Sequence, residues 1–160
     1  MEASSKGLGL FLDVRMRRIF LLGIISGFPW VLIGSALSLW LKEDGLSRSA
    51  VGWAGLIFSV YSINFLWAPL IDRLRVPFLT DKLGHRKAWI LTMQVIILAG
   101  LLLWATTAPS ANIVLVMAIG LAIAACSATQ DITIDALRIE QIDRAETGAM
   151  AAGASMAVIG

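Results

Sequence analysis

Ser127-Ala128-Thr129-Gln130-Asp131-Ile132-Thr133-Ile134-Asp135-Ala136-Leu137-Arg138 closes an apolar run that begins at Ile113. The run over 113–137 is long enough to cross a hydrocarbon core of about 30 Å as a helix. Yet it ends on two carboxylates four residues apart, which share one helix face. An ionised carboxylate at a bilayer centre costs roughly 2.5–3.5 kcal/mol on insertion scales. Asp131 and Asp135 must therefore sit at the membrane edge, line a wet cavity, meet a basic partner, or exchange a proton.

The rest of the chain repeats the apolar pattern. Of its 160 residues 58% are hydrophobic and 15% charged, with mean hydropathy +0.82. A soluble domain is nearer 45–50% apolar and about 25% charged. The excess is gathered into runs of about 20 residues, a bilayer signature. We read complete spans over 19–41, 51–71, 88–108 and 113–137, and the start of a fifth over 148–160. Thirteen apolar residues fall short of a crossing helix, so the chain reads as part of a longer bundle whose remaining helices are missing. The fold class is an all-α integral membrane protein.

Residues 1–18 read as a cytoplasmic lead. The first apolar run is longer than a signal-peptide core and lacks a cleavage site, which makes it a retained span. Gly27-Phe28-Pro29 predicts a kink near its middle. Ser47 or Ser49 can cap the next helix. Asn64 in the second span and Gln94 in the third are polar groups at membrane depth, where such residues face the bundle interior. Trp89 and Trp104, near opposite ends of the third span, fit an aromatic belt.

Lysine and arginine are divided unequally between the two sides. The lead, the loop over 72–87 and the connection after the fourth span carry eleven, and the opposite side carries only Lys42 and Arg48. The positive-inside rule then places the N-terminus in the cytoplasm. Counted from Ile113, Asp131 lies about 27 Å along the helix and Asp135 about 33 Å. Both fall toward the cytoplasmic edge, with Asp131 the deeper.

No phosphate-binding loop, dinucleotide glycine pattern or nucleophile elbow is present, and nothing points to nucleic acid. His85 is the sole histidine and Cys126 the sole cysteine. They provide no internal disulfide and no metal cluster. We read Cys126 as a packing residue and His85 as a solvated loop residue. No catalytic constellation or cofactor site emerges, so an enzyme is not expected.

The loop after the second span has a specific order. Ala68-Pro69-Leu70-Ile71-Asp72-Arg73 followed by Gly84-His85-Arg86-Lys87 resembles the loop signature of the major facilitator superfamily, with Ala68 where the pattern has glycine. Asp81 offers a second reading of the acidic position. Residues 65–73, 89–94 and the Ser-Ala-Thr-Gln-Asp run at 127–131 with Asp135 resemble the AmpG-type muropeptide permeases. The eukaryotic acetyl-CoA transporters look like a more distant branch. The resemblance implies a twelve-helix transporter of two six-helix halves with alternating access. This chain would supply most of the first half, in the bacterial inner membrane. It further implies proton-coupled uptake of anhydro-muropeptides for cell-wall recycling.

Under that resemblance Asp131 is the coupling candidate, with Gln130, Asn64 and Gln94 toward the substrate. Asp72, Arg73, Gly84, Arg86, Lys87, Asp135 and Arg138 form the gate and loop motif, and Gly27 and Pro29 the kink. Asp135 and Arg138 are three apart and can pair on one face. The alternatives are a transporter of another substrate, acyl-CoA-like or peptide, and a small membrane assembly protein without transport activity.

Overall fold

The computed structural model describes residues 14–141. Residues 1–13 of the expected lead, and the fifth helix expected over 148–160, lie outside the described residues. Contacts divide the chain into two units, Pro29–Thr133 and the segments on either side of it. The first of these carries the features that follow, apart from the helix ends.

Among the described residues all regular structure is helical, and four helical stretches are long and apolar enough to cross a membrane. They are Met16–Glu43, Arg48–Leu66, His85–Ala105 and Ile113–Glu140. The first contains α1 (Val14–Val31), a π-helical stretch Leu32–Leu37 and α2 (Ser38–Glu43). Pro29 lies inside α1, and the widened turn follows three residues later. Pro29 has no N–H and so removes one rung of the helix ladder. The Ser35 hydroxyl donates to the Val31 carbonyl at 2.7 Å. That bond supplies a partner where the ladder shifts register.

The second span is not one regular helix. α3 (Arg48–Gly55) begins at Ser47, whose hydroxyl accepts the Ala50 N–H at 3.3 Å. A 3₁₀ turn at Leu56–Phe58, α4 (Ser59–Ile63) and a second 3₁₀ turn at Asn64–Leu66 follow. α5 (Ala68–Arg73) completes the segment with Pro69 in its first turn. Proline is tolerated there because its missing N–H would be an orphan anyway, but its ring clashes with a carbonyl four residues back. The tightened turn at 64–66 places Asn64 and Trp67 where an unbroken helix would not.

The loop holds a short helix α6 (Leu79–Leu83), then Gly84 at φ 85°, then α7 (His85–Ala105). At that φ with ψ 160° the backbone lies in a region open essentially to glycine alone. α8 (Ile113–Gln141) follows a turn in which the Asn112 side chain accepts the Leu115 N–H at 3.0 Å. The Asp44 carboxylate, just past α2, accepts the Ser110 N–H of the same turn.

The core of the Pro29–Thr133 unit is built from Ile33, Leu37, Ile57, Ile97, Trp104, Ile119 and Ile123 with small residues between them. Two glycines allow α7 and α8 to approach closely. A Cβ on Gly100 would meet Ile123 Cγ1 at 2.8 Å, and one on Gly120 would meet Trp104 Cζ2 at 2.8 Å. Such small-residue contacts are how membrane helices pack without a hydrophobic driving force. Trp53, Phe65, Leu102 and Val114 are exposed, as suits helices whose solvent is lipid. Trp104 departs from the belt expected of it. It is 5% exposed, packs edge-on against Trp40, and donates its indole N–H to the Val116 carbonyl at 2.9 Å.

Candidate functional site

The polar residues that close the fourth span are placed by α8. Ser127, Thr129, Gln130 and Thr133 are all buried. Hydroxyls on a helix can return their proton to the carbonyl four residues back. Thr129 does so to Ala125 at 2.8 Å and Thr133 to Thr129 at 2.9 Å. Thr129 also accepts the Trp67 indole N–H at 3.1 Å, joining the break in the second span to α8. Asn64, at the start of the same break, directs its amide to the Ala128 carbonyl at 3.5 Å, a long contact.

Three polar side chains in this region are under-satisfied among the described residues. Gln130 is 1% exposed, and both its amide nitrogen and oxygen lack a partner among the described residues. The Ser127 hydroxyl, also 1% exposed, and the Tyr61 hydroxyl lie within reach of each other and meet no other partner among the described residues. Tyr61 stands close to Ser127 and to the Asp131 carboxylate, which is half-buried. A buried polar group without a partner costs about 1–3 kcal/mol. Unmatched groups clustered at membrane depth are therefore a site that water or a polar ligand would stabilise.

At the end of the second span the loop motif is assembled around Asp72. Arg86, in the first turn of α7, donates to the Asp72 carboxylate. His85 Nε2 lies 3.0 Å from the Ile71 carbonyl, and Trp89 Nε1 donates to the Leu74 carbonyl at 2.9 Å. His85 is half-buried, so the solvated loop residue read from the sequence is instead a tie between helix ends. Its signal was adjacency to Gly84, which turns the chain back onto α5. Asp81, the rival acidic position, does not hold Arg86 in an ion pair but lines a cavity of about 390 Å³ with Asp72, Arg73, Arg75, Thr80 and His85. Lys87 is exposed.

Asp135 and Arg138 form an ion pair at 3.1 Å within α8. Gln94 is half-buried with its side-chain oxygen unmatched among the described residues. Gly27 and Pro29 lie within the continuous turns of α1. Sequence reasoning quoted Ser127 and Trp67 within its motifs but gave neither a role in the site. Both contain the signal of a polar atom inside an apolar run, but a serine and an indole are equally ordinary packing residues there. No group of metal-binding side chains occurs among the described residues.

Comparison with known proteins gives this arrangement a family. Residues 15–118 match the family described as acetyl-coenzyme A transporter 1 (Acatn). The AmpG 4 protein of Rickettsia felis is 36% identical over 135 residues, covering 84% of this chain and 32% of the relative. The anhydromuropeptide permease of Escherichia coli K12 is 32% identical over 157 residues, covering 98% of this chain and 30% of the relative. The chain thus spans about a third of the length of the curated relatives it matches. No solved structure matches it. With four membrane-capable helices and these relatives, the chain is part of a multi-pass membrane protein. It belongs to the Acatn family, and over the stretch it covers it is similar to the AmpG proteins.

Proposed function

We propose that this chain forms part of the transport path of a proton-coupled permease that takes up anhydro-muropeptides across the bacterial inner membrane. The observation that carries the reading is the buried Gln130 amide without a partner among the described residues, on the same helix as Asp131 and the Ser127 hydroxyl that Tyr61 faces. A sugar–peptide substrate offers hydroxyls and amides, the chemistry that such groups satisfy. Gln130 meets the substrate, and Asn64 and Gln94 extend the polar lining. Asp131 binds and releases the coupling proton, a role suited to a carboxylate that is partly desolvated.

The basic side of the bundle faces the cytoplasm, with the N-terminus there. Asp72 with Arg86, and Asp135 with Arg138, are inward-side gate contacts that form in one access state and break in another. Arg73, Gly84 and Lys87 complete the loop, and the Gly27–Pro29 stretch supplies a bend in the first span. The domain organisation is a partial half-bundle over 19–160 with a lead over 1–18.

The test is uptake of labelled GlcNAc-anhydro-muramyl tripeptide in cells that lack their own muropeptide permease and express the gene carrying this sequence. Uptake should collapse with a protonophore, and Asp131→Asn should bring it to background while membrane insertion stays intact. Undiminished uptake by that variant removes Asp131 from coupling. The family description supports a second reading, an acyl-CoA substrate. Reconstituted vesicles that accumulate acetyl-CoA and ignore the muropeptide would select it.

A further inference from the structure

We propose that the loop between α5 and α7 holds the phosphate of an anionic phospholipid. The cavity of about 390 Å³ there is lined by Asp72, Arg73, Arg75, Thr80, Asp81 and His85. Two of these are committed elsewhere: Asp72 to Arg86, and His85 Nε2 to the Ile71 carbonyl. Arg73 and Arg75 have no carboxylate partner among the described residues. The shielded Thr80 hydroxyl has no hydrogen-bond partner there either. Two guanidiniums and a hydroxyl around one cavity are donors in search of an oxyanion, and guanidinium forks match phosphate oxygens in pairs.

The surroundings point to a lipid as the source of that phosphate. The cavity lies where α5 ends and α7 begins, between the second and third membrane-capable stretches. Phe78 is 84% exposed and adopts φ 62°, a left-handed backbone rare for a bulky residue. Leu74 and Leu83 beside it are exposed as well. A strained phenylalanine left this exposed finds its apolar partner in the acyl layer. Basic residues beside inserted apolar ones are how interfacial segments hold anionic lipid. Asp81 works against an anion here, which gives the proposal an opposite-sign test.

The experiment is native mass spectrometry of the full chain released from micelles containing equal phosphatidylglycerol and phosphatidylcholine. The wild type should keep phosphatidylglycerol in preference. The Arg73→Gln/Arg75→Gln pair should lower retention by about twenty-fivefold, roughly fivefold per guanidinium. Asp81→Asn should raise it by about fivefold. The Arg73→Lys/Arg75→Lys pair, which keeps the charge, should hold more lipid than the glutamine pair at equal helical content. Lys42→Gln/Arg48→Gln, the same loss of charge at the other end of the bundle, should leave retention unchanged.

Equal loss in that control pair would reduce the effect to net charge and overturn the proposal. So would equal retention of phosphatidylcholine, or a fall with Asp81→Asn, which would mean a cationic headgroup on that carboxylate. Displacement of the lipid by millimolar orthophosphate would assign the cavity to the free anion instead. Retention is read without a gradient or a transport substrate, so it stands or falls apart from the uptake reading.

Discussion

The Trp67 indole donates to the Thr129 hydroxyl at 3.1 Å, and that hydroxyl passes its own proton to Ala125 at 2.8 Å. The two bonds use the donor and one acceptor site of a single buried oxygen. They tie the broken second span to α8 two residues before Asp131. Trp67→Phe and Thr129→Val should each lower stability, with a coupling energy of about 0.6 kcal/mol, the average for hydrogen bonds between membrane helices. A double-mutant cycle on unfolding in bicelles measures it, and additive losses would show that the contact carries no energy of its own.

Gly120 and Gly52 should respond in opposite directions to an added methyl group. At Gly120 the new Cβ would press on Trp104, which is buried and held by its bond to Val116. Gly120→Ala should cost about 1–3 kcal/mol, the range for overpacking. At Gly52, in α3, a Cβ meets nothing within 4 Å, so Gly52→Ala should gain about 0.5–1 kcal/mol from a stiffer unfolded chain. Thermal denaturation in detergent separates the two.

Gly84→Ala should cost about 1–3 kcal/mol because its backbone lies where side chains are not tolerated. The loss comes from conformation and not from a clash, since a Cβ there meets no atom within 4 Å. The same change should loosen the His85–Ile71 and Arg86–Asp72 contacts that Gly84 aims. Faster proteolysis between Leu74 and Leu83 would report it. Unchanged cleavage with lowered stability would show that the contacts survive the strain.

The Asp72–Arg86 pair is exposed on the aspartate side, so its removal should change stability by less than about 1 kcal/mol. If it acts as a latch, Asp72→Asn and Arg86→Gln should each lower uptake far more than that figure explains. The exchanged pair Asp72→Arg/Arg86→Asp should recover part of it. Loss of uptake that tracks loss of stability in all three would make the pair structural only.

Much of the architecture was written in the one-dimensional pattern. Runs such as 113–137 can satisfy their backbone inside a bilayer only as helices, and four membrane-capable helices follow from that alone. The pairing of Asp135 with Arg138 was equally legible, because residues three apart on a helix are neighbours by geometry. So was the Ser47 cap.

What the tertiary structure decided depends on contacts across the chain. Pro69 predicts local disruption, but the 3₁₀ turn that aims Asn64 and Trp67 at α8 needs the facing helix for its meaning. Trp104 has the same chemistry in a belt or in a core, and only Gly120 opposite it makes room for the core. His85 looks solvated until Gly84 folds it back to Ile71. Hydropathy records how much each residue prefers to leave water. It does not record which neighbour it meets, and the unmatched amide of Gln130 is defined by that neighbourhood.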